Sequence, residues 1–322
     1  MSRIAAARRI LSAIMLLLPA AAVDSAENDT QITLLHRKNQ LVIRADEKPI
    51  ATYVYSDEQI LRPYFTALKA PSGVQITRHH PPRKNIDATD HATMHPGLWL
   101  AFGDISGKDF WRNKARVRHA GFVERPRSKG PTARFAVRNE YVANGRVICE
   151  ETCRIRILVR PAGYLIIWDS RFTSDNPAFY FGDQEEMGLG VRLATPIAVN
   201  SSSGGRILDN RGNRNEKEIW GKPSLWCDYA GPIEDVFAGV TIMPHPENFA
   251  PSRWHVRDYG FMTANPFGRK AFDLGTPARQ VIEKGEQLRL GFGILLHSTR
   301  DEEALDLHAA YADYLKTAQR HR

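Results

Sequence analysis

The sequence contains few cysteines, and their spacing limits how they can pair. The 322 residues include three, Cys149, Cys153 and Cys227. Cys149 and Cys153 are four residues apart in a stretch with strand-like alternation, so they would lie roughly 13 Å apart on one face and cannot bridge each other. One of them can pair with Cys227 in an oxidising compartment, or the thiols can be buried and free. The sequence leaves both alternatives open.

Long hydrophobic runs are also missing, apart from a short one near the N-terminus. Three arginines precede the apolar residues 10–18, and small residues follow at 20–22. This run is too short to cross a bilayer, and its flanks predict a secretory signal peptide over residues 1–26. Its removal takes away three arginines and one aspartate, which lowers the formal charge from +8 to +6. We therefore expect residues 27–322 to form a periplasmic or secreted protein without a membrane span.

Several catalytic and binding signatures are absent. There is no GxSxG, P-loop or Rossmann fingerprint, which argues against serine hydrolases and against nucleotide and dinucleotide enzymes. The positive charge is scattered and shows no basic patch interleaved with aromatic residues, so we expect no nucleic-acid partner. The scattered charges include Arg78, Arg83, Lys84, Arg116, Arg118, Lys316, Arg320 and Arg322.

What the sequence does contain is strand-like alternation, interrupted by turn signals. Hairpin turns are predicted at residues 46–49, 144–145 and 161–163, within roughly a dozen strands joined by short connections. One convincing helix follows, at about residues 299–319, with apolar spacing and a Ser or Thr cap. The pattern predicts an all-β fold: a single large antiparallel β-sandwich that ends in one C-terminal α-helix.

The segment "RWHVRDYGFMTANPFG", residues 253–268, carries an unusual number of ionisable groups for a strand. If it is a strand, His255, Arg257 and Tyr259 share one face, and Trp254 and Val256 face the core. Such a polar face suits a cleft for a hydroxylated or anionic ligand. The alternative is an edge strand whose charges pair with neighbouring carboxylates.

A long loop over residues 79–97 contains four histidines, His79, His80, His91 and His95. His91 and His95 have the spacing of two ligands on a helix, but Pro96 disfavours helical geometry there. We expect one or two of them to line the cleft as acid–base or hydrogen-bonding groups. Residues 200–218 are predicted to be a second polar and flexible excursion.

Carboxylates are concentrated in residues 180–196. Read as a strand, this stretch places Asp183 and Glu185 on one face and Glu186 on the other. A carboxylate beside a histidine is the minimum equipment for proton transfer on a sugar. The alternative is a set of surface acids that pair with Arg192 or with lysines.

Several blocks together resemble a known bacterial family. "RPYFTALKAPSGVQITRHHPP", "HPGLWLAFGDISGKDFW", "GDQEEMGLGVRLATP", "KEIWGKPSLWCDYAG" and "WHVRDYGFMTANPFG" are similar to proteins named the PmoA family, or methane oxygenase PmoA, over about residues 30–298. By analogy, the resemblance implies a galactose-mutarotase-like supersandwich with a carbohydrate on its concave face. The site positions that it implies are Arg62, His95, Trp99, Asp104, Glu186, Trp220, His255, Arg257, Tyr259 and Asn265.

The resulting expectation is an enzyme that acts on a small carbohydrate or glycoside by metal-independent acid–base chemistry, as an epimerase, lyase or hydrolase. Glu186 is the expected base, with His255 and His95 as acid or orienting groups and no cofactor. The expected substrate-binding residues are Arg62, Trp99, Asp104, Trp220, Arg257, Tyr259 and Asn265. The first alternative is a non-catalytic carbohydrate-binding or envelope scaffold protein. The second is the metal-dependent oxygenase that the family label names.

Overall fold

Two antiparallel β-sheets, each of eight strands, pack face to face in the computed structural model. The structure describes residues 30–175 and 178–319. The predicted signal peptide, residues 1–26, lies outside these residues. Within them, no helix is both long and apolar enough to cross a membrane.

The first sheet presents the candidate site. Its strand order is β1-β2-β3-β4-β5-β11-β16-β15. Numbered along the chain, its strands are β1 (Ile32–Arg37), β2 (Gln40–Ala45), β3 (Lys48–Val54), β4 (Tyr64–Thr66), β5 (Leu98–Ala101), β11 (Gly188–Arg192), β15 (Arg253–Arg257) and β16 (Phe261–Asn265).

The second sheet closes the other side of the core, in the order β12-β13-β14-β18-β9-β8-β7-β6. Its strands are β6 (Arg116–Lys129), β7 (Thr132–Ala143), β8 (Arg146–Arg160), β9 (Gly163–Thr173), β12 (Arg206–Asp209), β13 (Cys227–Ile233), β14 (Val236–Pro244) and β18 (Gln287–Thr299). A separate pair, β10 (Phe179–Phe181) and β17 (Gln280–Ile282), lies outside the two large sheets.

The predicted all-β sandwich is confirmed, and alternation along the strands explains how it forms. The hairpins β2–β3, β7–β8 and β8–β9 turn where the sequence predicts. Alternate side chains from both sheets fill one continuous apolar core. The described residues form 18 strands rather than about a dozen, because several are only three to five residues long and lack a clear alternation. All three cysteines are buried free thiols.

The C-terminal helix α2 spans Leu307–Gln319, which is shorter than predicted. It begins after Asp306, whose carboxylate accepts a hydrogen bond from the Ala309 amide at 2.9 Å. The residues before it form a 3₁₀ turn at Glu302–Ala304, and Glu302 pairs with Arg206 of β12 at 2.6 Å. This ion pair draws the segment onto the second sheet, so the helix starts later than its apolar spacing indicates.

The excursion predicted at residues 200–218 is more ordered than expected. It contains 3₁₀ helix at its start, the strand β12, and a second short helix, α1 (Asn215–Ile219). The Asn215 side chain accepts a hydrogen bond from the Ile207 amide at 2.9 Å, which ties α1 to β12. The prediction of a flexible loop was wrong because it rested on polar composition, while these contacts are made by the polar groups themselves.

Candidate functional site

The floor of the candidate site is a row of residues across the outer face of the first sheet. Trp99 of β5 lies opposite Gly190 of β11, which lies opposite Thr263 of β16, which lies opposite His255 of β15. A Cβ at Gly190 would lie 2.9 Å from both the Trp99 ring and the Thr263 hydroxyl. Glycine at this position therefore allows the indole and the threonine to meet over β11.

Strand β15 supplies His255 and Arg257 on this outer face, as the alternation predicts. Trp254 and Val256 face the core and are fully buried. Tyr259 is not part of the strand, because β15 ends at Arg257 and residues 258–260 form the turn into β16. The phenol ring nevertheless lies near the site, 4.5 Å from the Arg192 guanidinium.

Two adjacent glutamates reach the row from the connection between β10 and β11. Residues 182–187 form a loop rather than the predicted strand, so Glu185 and Glu186 do not alternate between two faces. One ligand atom each from Glu185, Glu186 and His255 lie within 4.8 Å of one another. The alternation that separates neighbouring side chains in a strand does not apply to a turn, which is why the sequence prediction for these two residues was wrong.

The loop that carries these glutamates is clamped on both sides. The Asn265 side-chain amide donates to the carbonyls of Gln184 and Glu185, at 2.7 and 3.1 Å. The Asp183 carboxylate accepts hydrogen bonds from four backbone amides between residues 269 and 278. Asn265 and Asp183 therefore position the glutamates without facing a ligand themselves.

Arginines and His255 surround the two glutamates. The His255 Nδ1 atom lies 3.5 Å from the Glu185 carboxylate, and Arg257 lies 3.7 Å from it. The His255 imidazole lowers the pKa of Glu185, and Arg257 and Arg112 act in the same direction. Glu186 pairs with Arg112 at 2.6 Å through its Oε2 atom. Its other carboxylate oxygen forms no hydrogen bond with any described residue.

A histidine-containing wall flanks the row on the Trp99 side. The His95 ring stacks on Trp99 with a centroid distance of 5.2 Å and lies 4.9 Å from the Phe261 ring. His95 is 2% exposed. Its Nδ1 atom lies 3.3 Å from Arg192, which in turn forms a bidentate ion pair with Asp90.

The contact with Arg192 determines the tautomer of His95. A guanidinium can only donate, so Nδ1 is the acceptor and the Nε2 atom carries the proton. That Nε2 donor is buried and has no partner among the described residues. Burial holds the pKa of His95 well below its ordinary value, and the positive charge of Arg192 acts in the same direction. His95 is thus a neutral hydrogen-bond donor.

We expect the low pKa of His95 to make the protein less stable in mild acid. The unfolded chain protonates this histidine at about pH 6.5, whereas the folded protein does not. The free energy of unfolding should therefore fall as the pH drops below about 6.5, by at most about 1.4 kcal/mol per pH unit for this group. Urea unfolding between pH 8 and pH 5 should show a smaller loss for His95→Gln. His80 and His119, whose pKa values burial also lowers, are common to both proteins and cancel. Identical slopes for the two proteins would contradict this prediction.

Trp220 and Tyr259 provide partly exposed aromatic surface at the rim. Arg257 lies 5.7 Å from the Trp220 ring and forms an ion pair with Glu216 at 2.7 Å. Burial raises the pKa of the Tyr259 phenol, while the cations Arg192 and Arg257 oppose that rise. Tyr259 is therefore a neutral hydroxyl at physiological pH, able to donate or accept a hydrogen bond.

Three residues selected from the sequence have supporting roles in the structure. Arg62 is 2% exposed and donates to the carbonyls of Trp111 and Met94. Trp99 is 1% exposed, with one ring face covered by His95, so it offers no free face for a sugar. The Asp104 carboxylate closes a local turn by accepting from the Gly107 amide at 2.7 Å.

Other residues at the site were not selected from the sequence. Strand alternation places Glu185 on the opposite face from Glu186, and the sequence offers no signal that Arg112 lies beside Glu186 or that Asp90 lies beside His95. The sequence suggests Arg192 only as a partner for surface acids. If "GDQEEMG" is interpreted as a turn, Glu185 and Glu186 are predicted to lie side by side. Finding Arg112 requires the fold, because it lies 74 residues away from its partner Glu186.

Two groups at the site have the donor types that bind metal ions. The first is Asp90, His91 and His95, and the second is Glu185, Glu186 and His255. In the first group, Arg192 already pairs with Asp90 and fixes a proton on the His95 Nε2 atom, so the residues do not fit a metal ion as they are arranged. In the second group, the donor set suits a divalent cation, but Arg112 and Arg257 already form ion pairs with the same carboxylates.

Comparison with known proteins gives a family but no described activity. Residues 40–311 match the profile of a family described as "Family of unknown function (DUF6807)". This description does not carry the PmoA name. No curated protein matches the sequence.

The solved structures that match this chain are distant in sequence and have low TM-scores. A galactose mutarotase-like protein from Clostridium acetobutylicum is 12% identical with a TM-score of 0.44, over 84% of this chain and 99% of that chain. One from Lactobacillus casei is 9% identical with a TM-score of 0.39, over 83% and 100%. A polysaccharide lyase is 9% identical with a TM-score of 0.32, over 86% of this chain and 34% of that chain.

Proposed function

The chain belongs to the DUF6807 family, whose function is unknown, and from the residues of its candidate site we propose that it is an enzyme that transfers protons on a carbohydrate. The observation that carries this proposal is the convergence of Glu185, Glu186 and His255 within 4.8 Å on the outer face of the first sheet. Proton transfer needs an acceptor and a donor within hydrogen-bond reach of the substrate atoms that lose and gain the protons. A carboxylate beside an imidazole supplies both.

Glu186 is the proposed proton acceptor. Arg112 binds its Oε2 atom, which leaves Oε1 for the substrate. His255 is the proposed donor. Because its Nδ1 atom faces Glu185, the ring presents Nε2 to the substrate and Glu185 sets its orientation. This retains the roles that the sequence suggests and adds Glu185 as the residue that positions His255.

The lowered pKa of Glu185 favours some carbohydrate reactions over others. A glycoside hydrolase ordinarily needs one carboxylic acid with a raised pKa to protonate the leaving oxygen. Glu185 has a lowered pKa, so it does not provide that acid. An epimerase or lyase reaction, in which a carboxylate accepts one proton from the sugar and an imidazole N–H donates one to a sugar oxygen, fits better. His95, through its Nε2–H, and the Tyr259 hydroxyl are the proposed donors to substrate oxygens.

Sugar recognition is proposed to involve Trp220 rather than Trp99. Carbohydrate sites combine an aromatic face with several convergent polar groups. Trp220 is partly exposed beside Arg257, whereas the Trp99 ring is buried under His95. The small carbohydrate, the exported location and the absence of a cofactor all remain part of this proposal.

Thermal unfolding in the presence of sugars tests the binding step. A ligand at 100 times its Kd adds roughly 2.7 kcal/mol to stability, which for a chain of this size corresponds to a rise of about 4 °C in the unfolding temperature. We expect such a rise with at least one member of a panel of mono-, di- and uronosaccharides. Trp220→Ala should remove it, and Val123→Ala, which alters an exposed side chain on β6 of the second sheet, should not. No shift with any sugar at high concentration would refute the proposal.

A non-catalytic binding protein is the second candidate, because ion pairs already engage most of the charges at the site. Arg112 and Arg257 contact the glutamates of the cluster, and Arg192 contacts Asp90 beside His95. Such a network also suits a rigid recognition surface. The two candidates differ in what Glu186→Gln does: it should abolish turnover in an enzyme and leave sugar binding nearly unchanged in a binding protein.

A further inference from the structure

A second concentration of charge lies on the opposite side of the molecule, on the outer face of the second sheet. A groove of about 340 Å³ runs beside helix α2. It is lined by five arginines and two acidic residues, Arg134, Arg154, Arg156, Arg171, Arg289, Glu124 and Asp169. Sequence composition suggested a scattered positive charge, but strand alternation brings these arginines together from β7, β8, β9 and β18.

The positive charge in this groove is only partly compensated. Arg289 donates to the Asp169 carboxylate at 2.8 Å, and Arg134 lies 2.9 Å from Glu124. Within residues 30–175 and 178–319, the other three arginines of the groove form no ion pair. In the strand register, Arg154 lies opposite Asp169. Arg171 lies opposite Thr152 on one neighbouring strand and opposite Arg289 on the other. Like charges placed side by side on a sheet are unfavourable unless an anion lies between them.

Some buried side-chain atoms in the groove also lack a hydrogen-bond partner among the described residues. The Arg156 Nη1 and Arg171 Nε atoms are buried and form no hydrogen bond with the described residues, and neither does the Asp169 Oδ1 atom. Unmade hydrogen bonds of buried guanidinium groups are costly, which indicates that a ligand or solvent completes them. The donors suit a sulfate or carboxylate group, and the carboxylate oxygen suits a hydroxyl donor.

We propose that this groove binds a linear anionic polysaccharide, one that carries sulfate or uronate groups along a chain of hydroxyl-bearing sugars. Arginine forks bind such oxyanions in bidentate geometry, and the free Asp169 oxygen accepts from a sugar hydroxyl. The groove extends over four strands, roughly 14 Å at the usual strand spacing, so it contacts several sugar units.

The groove is less suited to the other polyanions. Sequence-tolerant binding of single-stranded nucleic acid uses exposed aromatic rings on which bases stack. The three aromatic side chains that line this groove, Phe135, Trp168 and Tyr314, are at most 2% exposed. A membrane surface requires cations that project outward, whereas the Nη1 atom of Arg156 and the Nε atom of Arg171 are buried.

The test measures binding of fluorescent oligosaccharides by anisotropy at two salt concentrations. The probes are a heparin-type sulfated hexasaccharide, an oligogalacturonate and a neutral dextran fragment. We expect the protein to bind at least one anionic probe and not the dextran. The double variant Arg154→Gln/Arg171→Gln should weaken that binding roughly tenfold or more and reduce its salt dependence. The better-bound anionic probe identifies the group as sulfate or carboxylate.

A matched control distinguishes the effect of the groove arginines on binding from the effect of the overall charge. Lys284→Gln/Arg300→Gln removes the same charge at exposed positions outside the groove and should bind as the unaltered protein does. Equal weakening in both double variants would overturn the proposal, as would tighter binding of duplex DNA or of anionic lipid vesicles. The thermal stability of Arg154→Gln/Arg171→Gln is measured first. If it is reduced, the single variant Arg154→Gln, which alters an exposed side chain, replaces the double variant in the comparison. Absence of binding to both anionic probes would also overturn it.

Discussion

Replacing Asp228 by alanine is expected to lower the free energy of unfolding by about 3–5 kcal/mol, the range for leaving a buried ion pair without one partner. Asp228 is fully buried on the outer side of the second sheet. Its carboxylate accepts hydrogen bonds from Arg206, Thr241 and His297 at 2.9, 2.8 and 2.8 Å. Removing it leaves a guanidinium and an imidazole without their buried acceptor.

The network matters beyond its own residues because Arg206 also reaches the C-terminal segment. Its guanidinium lies 2.6 Å from Glu302, in the 3₁₀ turn that leads into α2. Although burial opposes ionisation, His297 and Arg206 hold the pKa of Asp228 below its ordinary value. The stabilisation is therefore present above the unfolded-state pKa of about 4 and is lost as the pH falls through the lower folded-state value.

Urea unfolding followed by tryptophan fluorescence measures the effect at pH 7. Asp228→Asn should be less damaging than Asp228→Ala, since the amide oxygen still accepts one hydrogen bond. Glu140→Ala is the matched control, because it breaks an ion pair with the exposed Arg118 and should cost no more than about 1 kcal/mol. If Asp228→Ala and Glu140→Ala destabilised the protein equally, the buried network would not have the role assigned to it.

The fold was largely predictable because strand alternation and turn residues are local signals. The sequence around Asn144-Gly145 specifies a hairpin whatever else the chain does, and the structure has that hairpin. The start of α2 was not predictable in the same way. It depends on the ion pair between Glu302 and Arg206, which are almost a hundred residues apart in the sequence.

The positions of the candidate-site residues were predictable from the sequence for those on a strand and not for those on a loop. His255 and Arg257 face outward because β15 alternates, which the sequence shows. Glu185 and Glu186 meet because residues 182–187 turn, and that turn is held by Asn265 and Asp183 from distant parts of the chain. The burial of Trp99 likewise follows from the position of His95, at the end of a long loop whose path periodicity does not determine.

The largest expected effect on activity is the loss of turnover in His255→Gln and Glu186→Gln. Each removes one partner of the proposed proton transfer, and general acid–base groups typically contribute 10²- to 10⁴-fold to the rate. We therefore expect kcat to fall by at least about 100-fold in either variant. The apparent affinity for the sugar should change by less, because neither substitution removes the rim residues Trp220 and Tyr259.

Glu185→Gln distinguishes a positioning role from a catalytic one. If Glu185 only orients the His255 ring, the amide oxygen still faces Nδ1, and kcat should fall less than in His255→Gln. The pH dependence should also change on its acid side, since the ionised form of Glu185 is lost. Glu303→Gln, an exposed glutamate near α2, serves as the matched control.

The measurement uses the sugar that stabilises the protein most in thermal unfolding. Proton NMR in deuterated water follows both epimerisation and elimination, because either reaction changes the signal of the hydrogen that is transferred. Turnover that is undiminished in Glu186→Gln and His255→Gln would exclude these residues as the acid and base. Sugar binding without turnover in the unaltered protein, across the whole panel, would instead establish the cluster as a recognition site, in which Glu185, Glu186 and His255 bind hydroxyl groups and transfer no proton.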